Sequence, residues 1–189
     1  LLFALALVGY LLPWILTSTS SLSLGAYDLA EWSSLHPIVK QTAPFLWTAL
    51  ALRIPLAVLG MLVAVYMAKI CHHKSIAIIC LFVTAIALLP PLEFFTSYRD
   101  DPNYRQQFIL AVLTFIIGIP TIFGKLKRRQ IITLFALSVV GALSSALGLY
   151  QAQNLIQGFG LHYTIGIGGV MTIVAFVMVI VLHITKQSS

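Results

Sequence analysis

Residues 44–68 read PFLWTALALRIPLAVLGMLVAVYMA, and the run ends on Lys69, His72, His73 and Lys74. A helix over these positions is ~37 Å long at 1.5 Å per residue, enough to cross the ~30 Å hydrocarbon core of a bilayer. Its one charged side chain is Arg53. So long an apolar run, closed by a tight basic turn, reads as a transmembrane helix.

Working outward, five more apolar runs have the same character. They cover about residues 1–16, 75–95, 107–123, 130–150 and 163–184, with Pro90-Pro91 disturbing the end of the second and Pro120 inside the third. The whole chain of 189 residues is 60% hydrophobic and 8% charged, with a mean hydropathy of +1.00. That leaves too little charge for a water-facing shell. The expected fold is therefore all-α: one transmembrane domain over 1–189, a bundle of about six spans. The first span covers only ~24 Å at helical rise, and the chain starts at Leu1 inside it, so residues upstream are expected. Trp14, after Leu12-Pro13, suits an interfacial aromatic belt.

The longest polar connection follows this first span. It opens with Thr17-Ser18-Thr19-Ser20-Ser21. Residues 26–36 then read as a short amphipathic helix, with acids early, where the helix dipole favours them, and Pro37 as its stop. Tyr27, Trp32 and Leu35 suit a surface of lipid or of protein.

The charges sort by side. Lys69, Lys74, Lys125, Lys127, Arg128, Arg129 and Lys186 fall in one set of alternate loops, with no acid among them. Lys40, Arg99 and Arg105 share the other set with Asp28, Glu31, Glu93, Asp100 and Asp101. The positive-inside rule places the first set, and both chain ends, in the cytoplasm. A bacterial cytoplasmic membrane is the expected location. The net charge of +6 is thus explained by topology, and no nucleic-acid partner is called for. Cys71 and Cys80 lie near the cytoplasmic end of a hairpin, where reduced thiols are the rule, and their spacing makes no zinc site.

Among residues that could carry chemistry, Arg53 stands out. A charge this deep costs at least ~2.5 kcal/mol unless it is paired or reaches the interface. Glu93, at the outer end of the neighbouring span, is the expected partner. Asp28 and Glu31 are alternatives if the loop helix folds over the bundle. A quinone or lipid headgroup is a further candidate contact for Arg53 and Glu93. The outer segment Asp28, Glu31, Trp32 and His36 is a candidate partner contact, and Lys125, Lys127, Arg128 and Arg129 face anionic lipid. Gly141, Ser144, Ser145 and Gly148 make overlapping small-xxx-small patterns that let helix backbones approach, within the chain or to a partner helix. Gly166, Gly168 and Gly169 open the last span in the same way.

Two histidine pairs share a depth: His72 or His73 with His183, and His36 with His162. All lie in loops or at helix ends rather than deep in a span, so haem ligation is not expected. Asp28, Glu31 and His36 are too scattered for a metal site, and none is expected. No acid, base and nucleophile share a depth, so no catalytic residue is assigned.

Leu12-Pro13-Trp14, the stretch from Ala26 to Trp32, and the glycines of 158–160 and 166–169 resemble small membrane proteins of filamentous anoxygenic phototrophs. Accessory membrane subunits of alternative complex III are of that kind. The resemblance implies an accessory, non-catalytic subunit of a quinol-oxidising respiratory or photosynthetic electron-transfer complex, without a cofactor of its own. Other membrane subunits, lipid and quinone at its edges would be its partners. A stand-alone transporter or channel with Arg53 in its pathway is the alternative, and a b-type cytochrome or membrane enzyme is the second.

Overall fold

The computed structural model describes residues 1–17, 23–35, 46–124 and 127–187. These residues form seven α-helices, one 3-10 turn and three very short strands. They divide into two compact units: Leu1–Pro55 with Val139–Ser189, and Leu56–Ser138.

The first unit begins with α1 (Leu2–Leu11), which packs along α7 (Ile167–Gln187). The two backbones come close at Gly9, where a Cβ would sit 2.8 Å from the Thr172 hydroxyl and 2.9 Å from its amide nitrogen. Helix α1 stops early for a local reason. Pro13 disfavours helical backbone at the residue before it, and Leu12 is extended at φ −71°, ψ 158°. The chain then enters β1 (Ile15–Thr17), the middle strand of a small antiparallel sheet between β2 (Ser23–Leu24) and β3 (Tyr163–Ile165). Ile15 lies opposite both Leu24 and Ile165. The first helix therefore ends before its apolar run does and the last begins after its run does, because residues 15–17 and 163–165 pair with each other instead of extending their helices. The fold is mainly, not wholly, helical.

Helix α2 (Ala26–Leu35) matches the expected loop helix. The Asp28 carboxylate accepts from the Gly25 amide at 3.3 Å and so caps the first turn. Ala26, Leu29, Ala30, Ser33 and Ser34 are buried, so α2 lies on protein. Trp32 meets Phe159 edge-to-face at 5.3 Å. Trp14 is fully buried, its indole N–H donating to the Gly9 carbonyl at 3.1 Å. That corrects the aromatic-belt reading: buried indole N–H groups take a partner, and here the last turn of α1 supplies it.

Helices α3 (Trp47–Lys69) and α6 (Lys127–Gly158) each contribute to both units, with the divisions at Pro55 and Ser138. In the second unit, α3 is joined by α4 (Lys74–Leu88), the 3-10 turn Leu92–Phe95 and α5 (Pro102–Phe123). Ala57, Leu88 and Ala111 form one buried apolar cluster in it, with Leu56 and Leu110 packed against them. Helix α4 ends at Leu88, two residues before Pro90. Helix α5 starts earlier than its apolar run because Asp101 caps it, accepting from the amides of Asn103 and Tyr104, and Pro102 occupies its first position. Among the described residues, four helices are long and apolar enough to cross a membrane: α3, α5, residues Ile132–Gly158 of α6 and Ile167–Thr185 of α7. Helices α1 and α4 are apolar but shorter.

Candidate functional site

The polar centre of the first unit gathers where α2 lies over the first turns of α3. Helix α3 begins at Trp47, which puts Arg53 ~9 Å along it at helical rise. Its side chain has no exposure to solvent, and a cation so placed must be matched by an anion. Arg53 Nη2 donates to Glu31 Oε1 at 2.7 Å, the length of a charge-assisted bond. The carboxylate side chain is 31% exposed, so the pair has one buried end and one end open to water.

The partner is thus Glu31, the alternative that required the loop helix to fold back, and not Glu93, the first choice from the sequence. Glu93 is exposed on its own 3-10 turn, where its backbone carbonyl accepts from the amides of Ser97 at 2.9 Å and Tyr98 at 3.0 Å. Glu31 takes the role because α2 folds back onto protein, which carries its second turn to the arginine.

Two tyrosines complete the cluster: Tyr27, which the sequence placed only on a lipid or protein surface, and Tyr10, which it did not single out. The buried Tyr10 hydroxyl of α1 donates to the Leu52 carbonyl of α3 at 3.1 Å. Tyr10 also lies within electrostatic reach of Arg53, Tyr27 and Asp28. Burial raises the Tyr27 phenol above its ordinary pKa. The Glu31 charge adds to that, Arg53 opposes it, and Asp28 contributes a smaller push upward. The helices of this cluster are joined at backbone distance. Pro55 has no N–H to donate to Ala51, and Leu52, one residue on, accepts from Tyr10. A Cβ on Gly148 of α6 would lie 3.1 Å from the Ala51 carbonyl carbon.

The other small residues of α6 face α7 or their own helix. Gly141 sits under the Phe176 ring, and both the Ser144 and Ser145 hydroxyls donate to the Gly141 carbonyl, at 3.2 and 2.7 Å. Those hydroxyls are thereby satisfied within α6. Asp28, Glu31 and Trp32 are thus brought together on α2, while His36 lies outside the described residues. Lys125 does too, as do the side chains of Lys127, Arg128 and Arg129. His72, His73 and His162 are exposed, and His183 Nδ1 lies 3.0 Å from the Val179 carbonyl one turn back. Among the described residues, no three His, Cys, Asp or Glu side chains converge.

A tyrosine at the end of an apolar run and an acid on an amphipathic loop helix are each weak signals alone. The sign of the Arg53 charge demands an acid within a few ångströms and so already points to Glu31 among others, but it gives no signal for Tyr10. The arrangement can hold one helix across another, and it can pass the influence of water at Glu31 to a guanidinium away from water. Comparison with protein-family models, curated proteins and solved structures finds no match to this chain.

Proposed function

We propose that this chain is an accessory, non-catalytic membrane subunit of a multi-subunit assembly in the bacterial cytoplasmic membrane. The assembly would be of the electron-transfer kind that the sequence resemblance implies, with lipid or quinone at the edges of the subunit. The observation that carries this reading is the Arg53–Glu31 pair. A transport pathway needs its charge available to a substrate, whereas this guanidinium is engaged in fastening α2 onto α3.

In the same proposal the chain crosses six times, with both ends in the cytoplasm. Helix α1 reaches ~15 Å at helical rise, and in this proposal the segment after it, through β1, completes the crossing. Irregular backbone at membrane depth is tolerated where protein covers it. Trp14 and Ile15 are fully buried, and β1 is paired along both edges. Each unit also supports the alternation of ends. In the first, the C-terminal end of α1, helix α2 and the link from α6 to α7 meet through the sheet and the Trp32–Phe159 contact. In the second, the C-terminal ends of α3 and α5 meet where Lys69 donates to the Gly124 carbonyl at 2.6 Å.

Purification of the tagged full chain in mild detergent tests the proposal. One or more membrane chains are expected to co-purify in fixed ratio. A partner-free monomer whose proteoliposomes show a solute flux abolished by Arg53→Ala would overturn the reading in favour of transport.

A further inference from the structure

The cations at one end of the second unit are more tightly gathered than orientation in a membrane requires. The positive-inside rule asks only that lysine and arginine lie in the right loops, each near a helix end. Here two loops some fifty residues apart in sequence are fastened to each other. Lys69 Nζ, at the end of α3, donates to the Gly124 carbonyl after α5 at 2.6 Å. The Lys74 ammonium, at the start of α4, lies 5.9 Å from the centroid of the Phe123 ring. Between the two lysines the turn is tight, with His72 in the left-handed region at φ 60°, and the side chains of His72, His73 and Lys74 are exposed. The acids of this unit, Glu93, Asp100 and Asp101, belong to its other end, before and at the cap of α5.

Beside these cations lie exposed apolar side chains: Ile70, Ile76 and Phe123, at 57%, 43% and 53% exposure. Cations next to exposed apolar groups, at the end of membrane-length helices, match the two halves of an anionic phospholipid. The phosphate meets the ammonium groups, and the upper acyl chain lies along the isoleucines and the ring. A soluble phosphate would gain nothing from the second half. We propose that Lys69 and Lys74, with the Ile70, Ile76 and Phe123 surface, form a binding site for the headgroup of an anionic phospholipid. The site rests on the membrane reading given above and deepens it.

The test uses the full chain in nanodiscs of phosphatidylcholine containing a titrated fraction of phosphatidylglycerol, with bound lipid counted by native mass spectrometry after release. Preferential retention of phosphatidylglycerol is expected. Affinity should fall about 25-fold in Lys69→Gln/Lys74→Gln, at ~1 kcal/mol per lysine near a lipid surface and 1.4 kcal/mol per tenfold. Lys69→Arg/Lys74→Arg should keep the preference, which separates lost charge from lost folding. Equal retention of both lipids, or an unchanged preference in the glutamine variant, would overturn the site while leaving the membrane reading intact. Release of the lipid by millimolar inorganic phosphate at constant ionic strength would overturn the lipid assignment in favour of a soluble anion. A chain that fails to enter the bilayer at all would sink both the site and the membrane reading.

Discussion

The two units are built by different means. The first is specified largely by backbone and polar contacts: a three-stranded sheet, glycines set against carbonyls, an ion pair, and tyrosine and tryptophan donors on main-chain oxygens. The second is an interlocking of apolar side chains. Ala57, Leu88 and Ala111 cluster in it, Leu81 sits on Gly118, and Phe94, Phe95 and Phe108 pack edge-to-face or tilted with centroids 5.2 to 6.0 Å apart. Its threonines are spent on their own helices, Thr84 on Cys80 and Thr114 on Leu110. In lipid, apolar side chains gain little by leaving their solvent for one another, so packing shape must do the work in the second unit. The first unit adds directional bonds, which have fewer alternative arrangements. It should therefore be the less forgiving of the two.

Matched glycine substitutions offer the sharpest way to break that contrast. A Cβ on Gly166 would run into the Pro13 carbonyl oxygen, with the Pro13 carbonyl carbon at 2.7 Å and the Gly166 amide already held by Trp14 O at 2.8 Å. Neither backbone can give way. Gly166→Ala is expected to cost about 3 kcal/mol, the upper range for overpacking. In the second unit, a Cβ on Gly118 would meet the Leu81 methyls at 2.5 and 2.6 Å, the far end of a side chain with other rotamers. Gly118→Ala should cost about 1 kcal/mol. Chemical unfolding in detergent, followed by circular dichroism, ranks the two. Equal costs would mean that the sheet and its glycines do not set the rigidity of the first unit.

The ion pair comes next. Glu31→Leu leaves a buried guanidinium without its carboxylate. A fully buried pair broken this way loses about 3–5 kcal/mol, and since Glu31 keeps some access to water the expected loss is about 2. Adding Arg53→Met should restore most of it, because replacing both partners with apolar groups is close to neutral. If the double variant is as unstable as Glu31→Leu alone, the arginine holds α3 by something other than its charge. Tyr10→Phe asks a smaller question. It deletes the hydroxyl bond to Leu52 O and should cost about 1 kcal/mol in the same assay, with the ring still in place.

Hydropathy made the long helices legible because it reports what lipid can cover. Residues 44–68 were expected and Trp47–Lys69 is helical; residues 107–123 were expected and α5 ends at Phe123. The same measure failed wherever the backbone followed another rule. Helix α6 runs on from Tyr150 to Gly158 through Gln151, Gln153, Asn154 and Gln157, which leave the apolar run without breaking the helix. Helix α5 starts at Pro102, and the Asp101-Pro102 pair carried that signal in plain view. The strands are two or three residues long, below any periodicity that alternation could reveal, and they exist because Ile15 finds Leu24 and Ile165 across the chain. Arg53 was recognisable from its depth alone. The choice among its candidate partners Glu93, Asp28 and Glu31 was not, because it turns on the path of α2 in space rather than on sequence spacing.

Tyr27 gives the finest probe of the polar cluster, because its ionisation responds to α2, α3 and water at once. Its pKa in the folded protein lies above the ordinary value of 10.0, chiefly through burial and then through the Glu31 charge. In the unfolded chain the phenol releases its proton near that ordinary value, while the folded protein still holds it. Above about pH 10 the unfolded state therefore binds fewer protons, and stability must fall as pH rises toward the folded pKa; below pH 10 the phenol is neutral in both states and contributes no slope. Tyr27→Phe removes this source of alkaline loss. Its stability should decline less steeply above pH 10 than that of the parent chain, with parallel curves from pH 7 to 9. Glu31→Gln should shrink the difference without abolishing it, since burial is the larger cause and remains. Parallel curves across the whole range would mean that Tyr27 is as wet as in the unfolded chain, and that α2 is not held against protein in solution.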